Sequence, residues 1–157
     1  MMRSIIGLVV SIAICFGASA LGATFTTPAI PGWYAALNKP SWTPPNWVFG
    51  PVWSALYLMM AISAWLIWRR AAATPVALAL ALFFVQLAAN VLWSVLFFGR
   101  QMPGAAFADI VVLWCLILAT VIVFWRTSPL AGVLLVPYLV WVTFAAALNG
   151  AIWRMNV

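Results

Sequence analysis

The chain is apolar in five long blocks; every charge but Asp109 lies between or just outside them, and eight of the ten prolines lie in the segments between them. The first block, Ile5 to Phe25, has 21 residues, roughly 31 Å of helix and enough to cross a bilayer. The others run from about Trp47 to Trp68, Val76 to Phe98, Ala105 to Trp125 and Leu130 to Trp153. In lipid every backbone N–H and C=O has to be paired within its own segment, so blocks of this length are expected to be helices. The pattern predicts an all-α, multi-pass integral membrane protein: a bundle of five transmembrane helices forming one domain over residues 1–157. The start also has the shape of a signal peptide, with Ala18-Ser19-Ala20 as a cleavage site. Because the apolar run continues past that site, the first block is expected to stay as a span.

The longest interruption is Trp33 to Trp53, WYAALNKPSWTPPNWVFGPVW, with four tryptophans and four prolines in 21 residues. Proline fixes φ, removes a donor and pushes the residue before it out of the helical region. Lys39 to Asn46 is therefore expected to be a stiff, structured, non-helical loop between the first and second helices, covering something with its indoles. A second interruption, Gly99 to Gly104, reads as a tight turn.

Composition supports the membrane reading. The chain is 68% hydrophobic and 5% charged, against about 25% charged for soluble domains, and its mean hydropathy is +1.18. The net charge of +6 does not point to nucleic acid, because the seven basic residues stand singly or as one pair at the ends of apolar blocks. Arg3, Arg69, Arg70 and Arg126 fall on one face of a five-span bundle and Lys39, Arg100 and Arg154 on the other, a margin too small to orient the chain. There is no histidine, and Asp109 is the single acid. That excludes a Ser-His-Asp triad, paired carboxylates, a histidine-held metal site and a histidine-ligated haem iron. Cys15 and Cys115 lie inside apolar blocks as small hydrophobes.

The polar residues inside the spans are the candidates for function. Gln86, Asn90 and Trp93 share one helix face, as do Trp141, Ala145, Leu148 and Asn149. Two roles are open to the amides: hydrogen bonds between helices, worth about 0.6 to 2 kcal/mol each, or the wall of a ligand cavity beside Trp93 and Trp141. Trp68, Trp125 and Trp153, each just before an arginine, read as interface anchors. Trp53, Trp93 and Trp141 lie deeper or beside the loop and suit a flat aromatic ligand. Asp109 is expected to be structural, favoured near the start of the fourth helix and in reach of Arg100 or interfacial water.

The segments WYAALNKPSWTPPNWVFGPVWSALY, QLAANVLWSVLFFG, AFAD and VPYLVWVTFAAALNGAIWR resemble successive signatures of the tryptophan-rich sensory protein family, whose mitochondrial members are the translocator proteins or peripheral benzodiazepine receptors. The resemblance spans all five blocks. It implies a five-helix fold, a homodimer, here packed through the third helix at Ala77, Ala81 and Ala88, and a pocket closed by the first loop. It also implies porphyrin binding and, for animal members, cholesterol and isoquinoline-type ligands. Carried over by motif, the pocket positions are Ala23, Trp53, Asn90, Trp93, Ala108, Trp141, Ala145, Leu148 and Asn149. Trp33, Lys39 and Trp42 form the expected loop rim, with Lys39 as the cation able to meet a porphyrin carboxylate. No covalent cofactor and no metal are expected; porphyrin enters as ligand or substrate.

Two positions depart from the animal pattern. Gly150 and Ala151 stand where the sterol-recognition tyrosines belong, which lowers the expectation of sterol binding. Ala105 replaces a pocket tryptophan, which suggests a cavity wider on the fourth-helix side. Three function classes follow: a porphyrin-binding protein that transports tetrapyrroles or regulates their metabolism; an enzyme breaking down porphyrin with light and oxygen, with Trp53 and Trp141 as candidate catalytic residues; and a ligand-responsive regulatory membrane protein.

Overall fold

The computed structural model describes residues 2–157. Its helices are α1 (Met2–Ala29), α2 (Asn46–Trp68), α3 (Ala77–Ser94), α4 (Pro103–Thr127) and α5 (Pro129–Met155). All five are long and apolar enough to span a membrane.

The spans fall where the hydropathy pattern puts them, but the first helix is longer than its apolar block. It continues past Phe25 and through Pro28 into a π-helical turn, Ile30–Tyr34, that contains Pro31. A widened turn re-pairs carbonyls that proline leaves without a donor. A second π-helical turn, Val95–Gly99, closes the third span. The two turns pack together through their rings: Trp33 meets Phe97 edge-on at 5.4 Å, and Tyr34 lies 5.7 Å from Phe98. The tight turn after Gly99 is shorter than expected, because Pro103 and Gly104 belong to α4. Proline is tolerated there, at the first helical position, and Gln101, at φ 54°, makes the reversal.

Short connections hold neighbouring helices antiparallel. Ser128 alone separates α4 from α5, and a Cβ at Gly132 would come within 2.8 Å of the Trp125 backbone, so glycine is what lets the two helices meet. The Ser63 hydroxyl donates to the Ala131 carbonyl at 2.7 Å and ties α2 to α5. The main core joins Met60, Ile67, Phe83, Ile117, Phe124, Leu135 and Tyr138. A smaller cluster of Tyr34, Phe97, Ala106, Leu148 and Ile152 lies at the end where α5 finishes.

The proline-rich segment is helix-free from Leu37 to Pro45; Asn46, expected in the loop, is the first residue of α2. The loop is fastened to the end of α5. Asn38 N–H donates to Asn156 Oδ1 at 3.0 Å, and Asn156 Nδ2 donates back to the Asn38 carbonyl at 2.9 Å. Loop and C-terminal end therefore lie on one face, as an odd number of spans requires.

Candidate functional site

Between the upper halves of α1, α2, α3 and α5 lies a cavity of about 430 Å³, within the roughly 300–1,000 Å³ of small-molecule pockets. Ala23, Trp53, Asn90, Trp93, Trp141, Ala145, Leu148 and Asn149 all line it. Helical spacing explains the convergence: Trp93 follows Asn90 by three residues, and Trp141, Ala145, Leu148 and Asn149 form one stripe of α5.

Ala108 is not among the lining residues. It is exposed on the outside of α4, which packs against α3 and α5 and gives the cavity no wall. The small residue at Ala105 consequently does not widen the cavity.

The expected loop rim is also displaced. Trp33 packs on Phe97 and Phe98, and Trp42 sets its edge on Phe144 at 5.8 Å. Lys39 Nζ donates to the carbonyls of Tyr34, Ala35 and Leu37 at 2.7, 3.2 and 2.9 Å. An ammonium has three protons, so Lys39 caps the end of the first helix and has none left for a ligand carboxylate. None of the three lines the cavity; its roof is Ile30 and Tyr34 with Trp47 and Phe49 of α2. Among the described residues no cation lines it, and besides Asn90, Asn149 and the tyrosines its polar lining is Ser19, Thr26, Thr27, Asn46, Ser54 and Ser94.

The amides serve the fold first. Tyr57 OH donates to Asn90 Oδ1 at 2.7 Å, Asn90 Nδ2 donates to Tyr138 OH at 2.8 Å, and Tyr138 OH donates to Gln86 Oε1 at 3.0 Å. This chain joins α2, α3 and α5 through the core. Nearer the loop, Trp93 Nε1 donates to Asn149 Oδ1 at 2.9 Å, and Asn149 Nδ2 donates to the Pro103 carbonyl at 2.8 Å. Asn90 and Asn149 therefore stand in the cavity wall with their carbonyl oxygens bonded to protein and one amide proton committed. Asp109 does not reach Arg100: its Oδ2 is buried without a hydrogen-bond partner.

The site also contains residues that the sequence reading missed. Tyr57 and Tyr138 are the partners of Asn90, and Trp53 lies against both, 5.7 Å from the Tyr57 ring and 6.2 Å from Tyr138. Tyr57 falls four residues after Trp53 and Phe97 four after Trp93, a spacing that could have found them. Phe97 stacks on Trp93 at 5.1 Å, 20° from parallel. Phe49 meets Trp141 edge-on at 5.9 Å. The result is an apolar slot walled by indole and phenyl rings, with hydroxyls and one amide at its mouth, suited to a flat hydrophobic molecule with a polar edge.

Comparison with known proteins agrees with this architecture. Residues 11–154 match the TspO/MBR family. The chain is 44% identical to Protein CrtK of Rhodobacter capsulatus over 143 residues, 90% of this chain and 88% of that protein. It is 41% identical to the tryptophan-rich protein TspO of Chlorobaculum tepidum over 160 residues, covering 99% of each. It is also 41% identical to the human translocator protein over 126 residues, 79% of this chain and 75% of that one. With its five membrane-spanning helices and this extent of similarity, the chain belongs to the TspO/MBR family.

Proposed function

We propose that the protein binds porphyrins, or similarly flat hydrophobic ligands, in the cavity between α1, α2, α3 and α5, and through that binding carries tetrapyrroles or regulates their metabolism. The observation that carries this reading is the convergence of Trp53, Trp93 and Trp141 on one apolar cavity. Indoles give large stacking area at small entropic cost. A porphyrin has the complementary shape, apolar across its face and acidic at one edge. With Lys39 occupied by backbone carbonyls, its carboxylates would be met by the hydroxyls and amide at the mouth or remain at the membrane surface. The chain has no histidine, so free-base porphyrin and haem should bind about equally.

Titrating the purified protein with protoporphyrin in the dark should quench its tryptophan fluorescence. Trp141→Phe should weaken binding by about 0.5–1.5 kcal/mol if the indole stacks on the ring. Unchanged affinity in both Trp53→Phe and Trp141→Phe would reject the pocket reading. The same samples, illuminated in air and followed by porphyrin absorbance, test the alternative of photochemical breakdown. Loss of absorbance that requires Trp53 or Trp141 makes the protein an enzyme; loss equal to that of free porphyrin makes it a binder.

A further inference from the structure

At the opposite end of the bundle, a groove of about 450 Å³ runs between α1, α2 and α3. Its floor exists because residue 7 is glycine: the Trp68 ring lies where a Cβ at Gly7 would stand. Val10, Ile14 and Phe84 form apolar walls, each exposed on the single chain; Phe84 lies on the α3 face between Ala81 and Ala88, so the groove borders the face expected to carry the homodimer contact. From Arg3 to Ile14 the groove follows about 17 Å of helix, close to the roughly 15 Å hydrocarbon depth of one leaflet.

Charge identifies the occupant. Arg3 lines the outer end of the groove, its guanidinium carbon 5.8 Å from the centre of the Trp68 ring. The Arg3 side chain is exposed, and within the described residues its contact is this indole face. A guanidinium placed over an indole keeps its donors available at its edge, in the geometry that matches a phosphate. Arg69 lies nearby in the same manner, 4.8 Å from the Trp65 ring, and Trp65 Nε1 donates to the Ser4 carbonyl at 2.8 Å. Asp109, the chain's single acid, is near the start of α4 at the far end of the bundle. No side-chain carboxylate of this chain can neutralise Arg3 or Arg69. An apolar groove one leaflet deep, with an uncompensated arginine at headgroup level, has the chemistry of a lipid with a negative headgroup.

We propose that this groove is a binding site for an anionic phospholipid, one acyl chain lying along Val10, Ile14 and Phe84 and its phosphate meeting Arg3. Native mass spectrometry of the delipidated full chain tests it, using phosphatidylglycerol and phosphatidylcholine of identical acyl chains as probes. The wild-type chain should retain phosphatidylglycerol at least about fivefold better, as expected for one arginine at a membrane surface. Arg3→Gln should abolish that preference. Val10→Trp, which fills the groove, should lower retention of both lipids. Arg126→Gln, on the same face but outside the groove, should leave the preference intact. Equal retention of the two lipids by the wild type overturns the proposal, as does an equal loss of preference in Arg126→Gln, which would mean diffuse attraction. If Val10→Trp splits an oligomer and leaves lipid retention unchanged, the groove is covered by a second copy of the chain and the lipid site is rejected.

Discussion

Replacing Asn90 with leucine separates the two roles open to the residue, structural bond and ligand contact, because the structure gives them different costs. Asn90 accepts from Tyr57 at 2.7 Å and donates to Tyr138 at 2.8 Å. Loss of the amide does not orphan the Tyr138 hydroxyl, which still donates to Gln86. Tyr57 borders the cavity, where water can replace its lost acceptor. The cost is therefore the net value of two interhelical hydrogen bonds and not two buried unpaired groups, which would cost about 1–3 kcal/mol each. At about 0.6–1.7 kcal/mol per bond in a membrane protein, Asn90→Leu should destabilise the bundle by about 2 kcal/mol. The assay is SDS titration in mixed micelles, with helicity followed by circular dichroism, for wild type, Asn90→Leu, Tyr57→Phe and the double variant. The cycle should give a coupling of about 1 kcal/mol, since the two substitutions remove one shared bond. Porphyrin affinity should stay within about threefold, less than 1 kcal/mol. Unchanged stability together with a tenfold loss of affinity would refute the reasoning and make Asn90 a ligand contact.

Lys39→Met removes the donor that caps three carbonyls and should cost about 1 kcal/mol, seen as faster proteolysis of the loop, while porphyrin affinity stays unchanged; a tenfold affinity loss would restore Lys39 to the rim. Asp109→Leu removes a carboxylate whose Oδ2 is buried without a partner, and should leave thermal stability unchanged or raise it by about 1 kcal/mol; a fall of that size would show a partner in the membrane. Ala77, Ala81 and Ala88 are exposed on the outer face of α3; if they form the homodimer contact, Ala81→Trp should convert dimer to monomer by light scattering in mild detergent, and an unchanged dimer moves the interface elsewhere.

The spans were legible because lipid imposes a simple rule: about 20 apolar residues with every backbone group paired internally. The helix ends were less so. The first block was expected to end at Phe25, yet helical structure continues through Pro28 and into a widened turn that contains Pro31. Pro103 read as part of a turn and instead starts α4, where its missing N–H costs nothing. Periodicity also identified which residues of α3 and α5 share a face, and those faces do meet in the cavity. It could not say which helices enclose that cavity, which depends on packing order across the whole bundle. Ala108 sits on a helix that packs behind α5, so a correct helix assignment still placed it wrongly.

Lys39 shows a related limit. In sequence it is the one cation in a loop above aromatic residues; in the fold, the carbonyls at the end of the first helix have first claim on it, because a helix end without partners is costly. The same economy governs the amides. The buried amides are used for cohesion first: Asn90 and Asn149 hold helices together while standing in the cavity wall. On the proposed reading, what remains for recognition is chiefly ring area and shape, with the polar groups at the mouth secondary. If that is so, selectivity among ligands should follow planarity and width more closely than the number of polar groups, and substitutions at Trp53, Trp93 and Trp141 should change affinity more than substitutions at either asparagine.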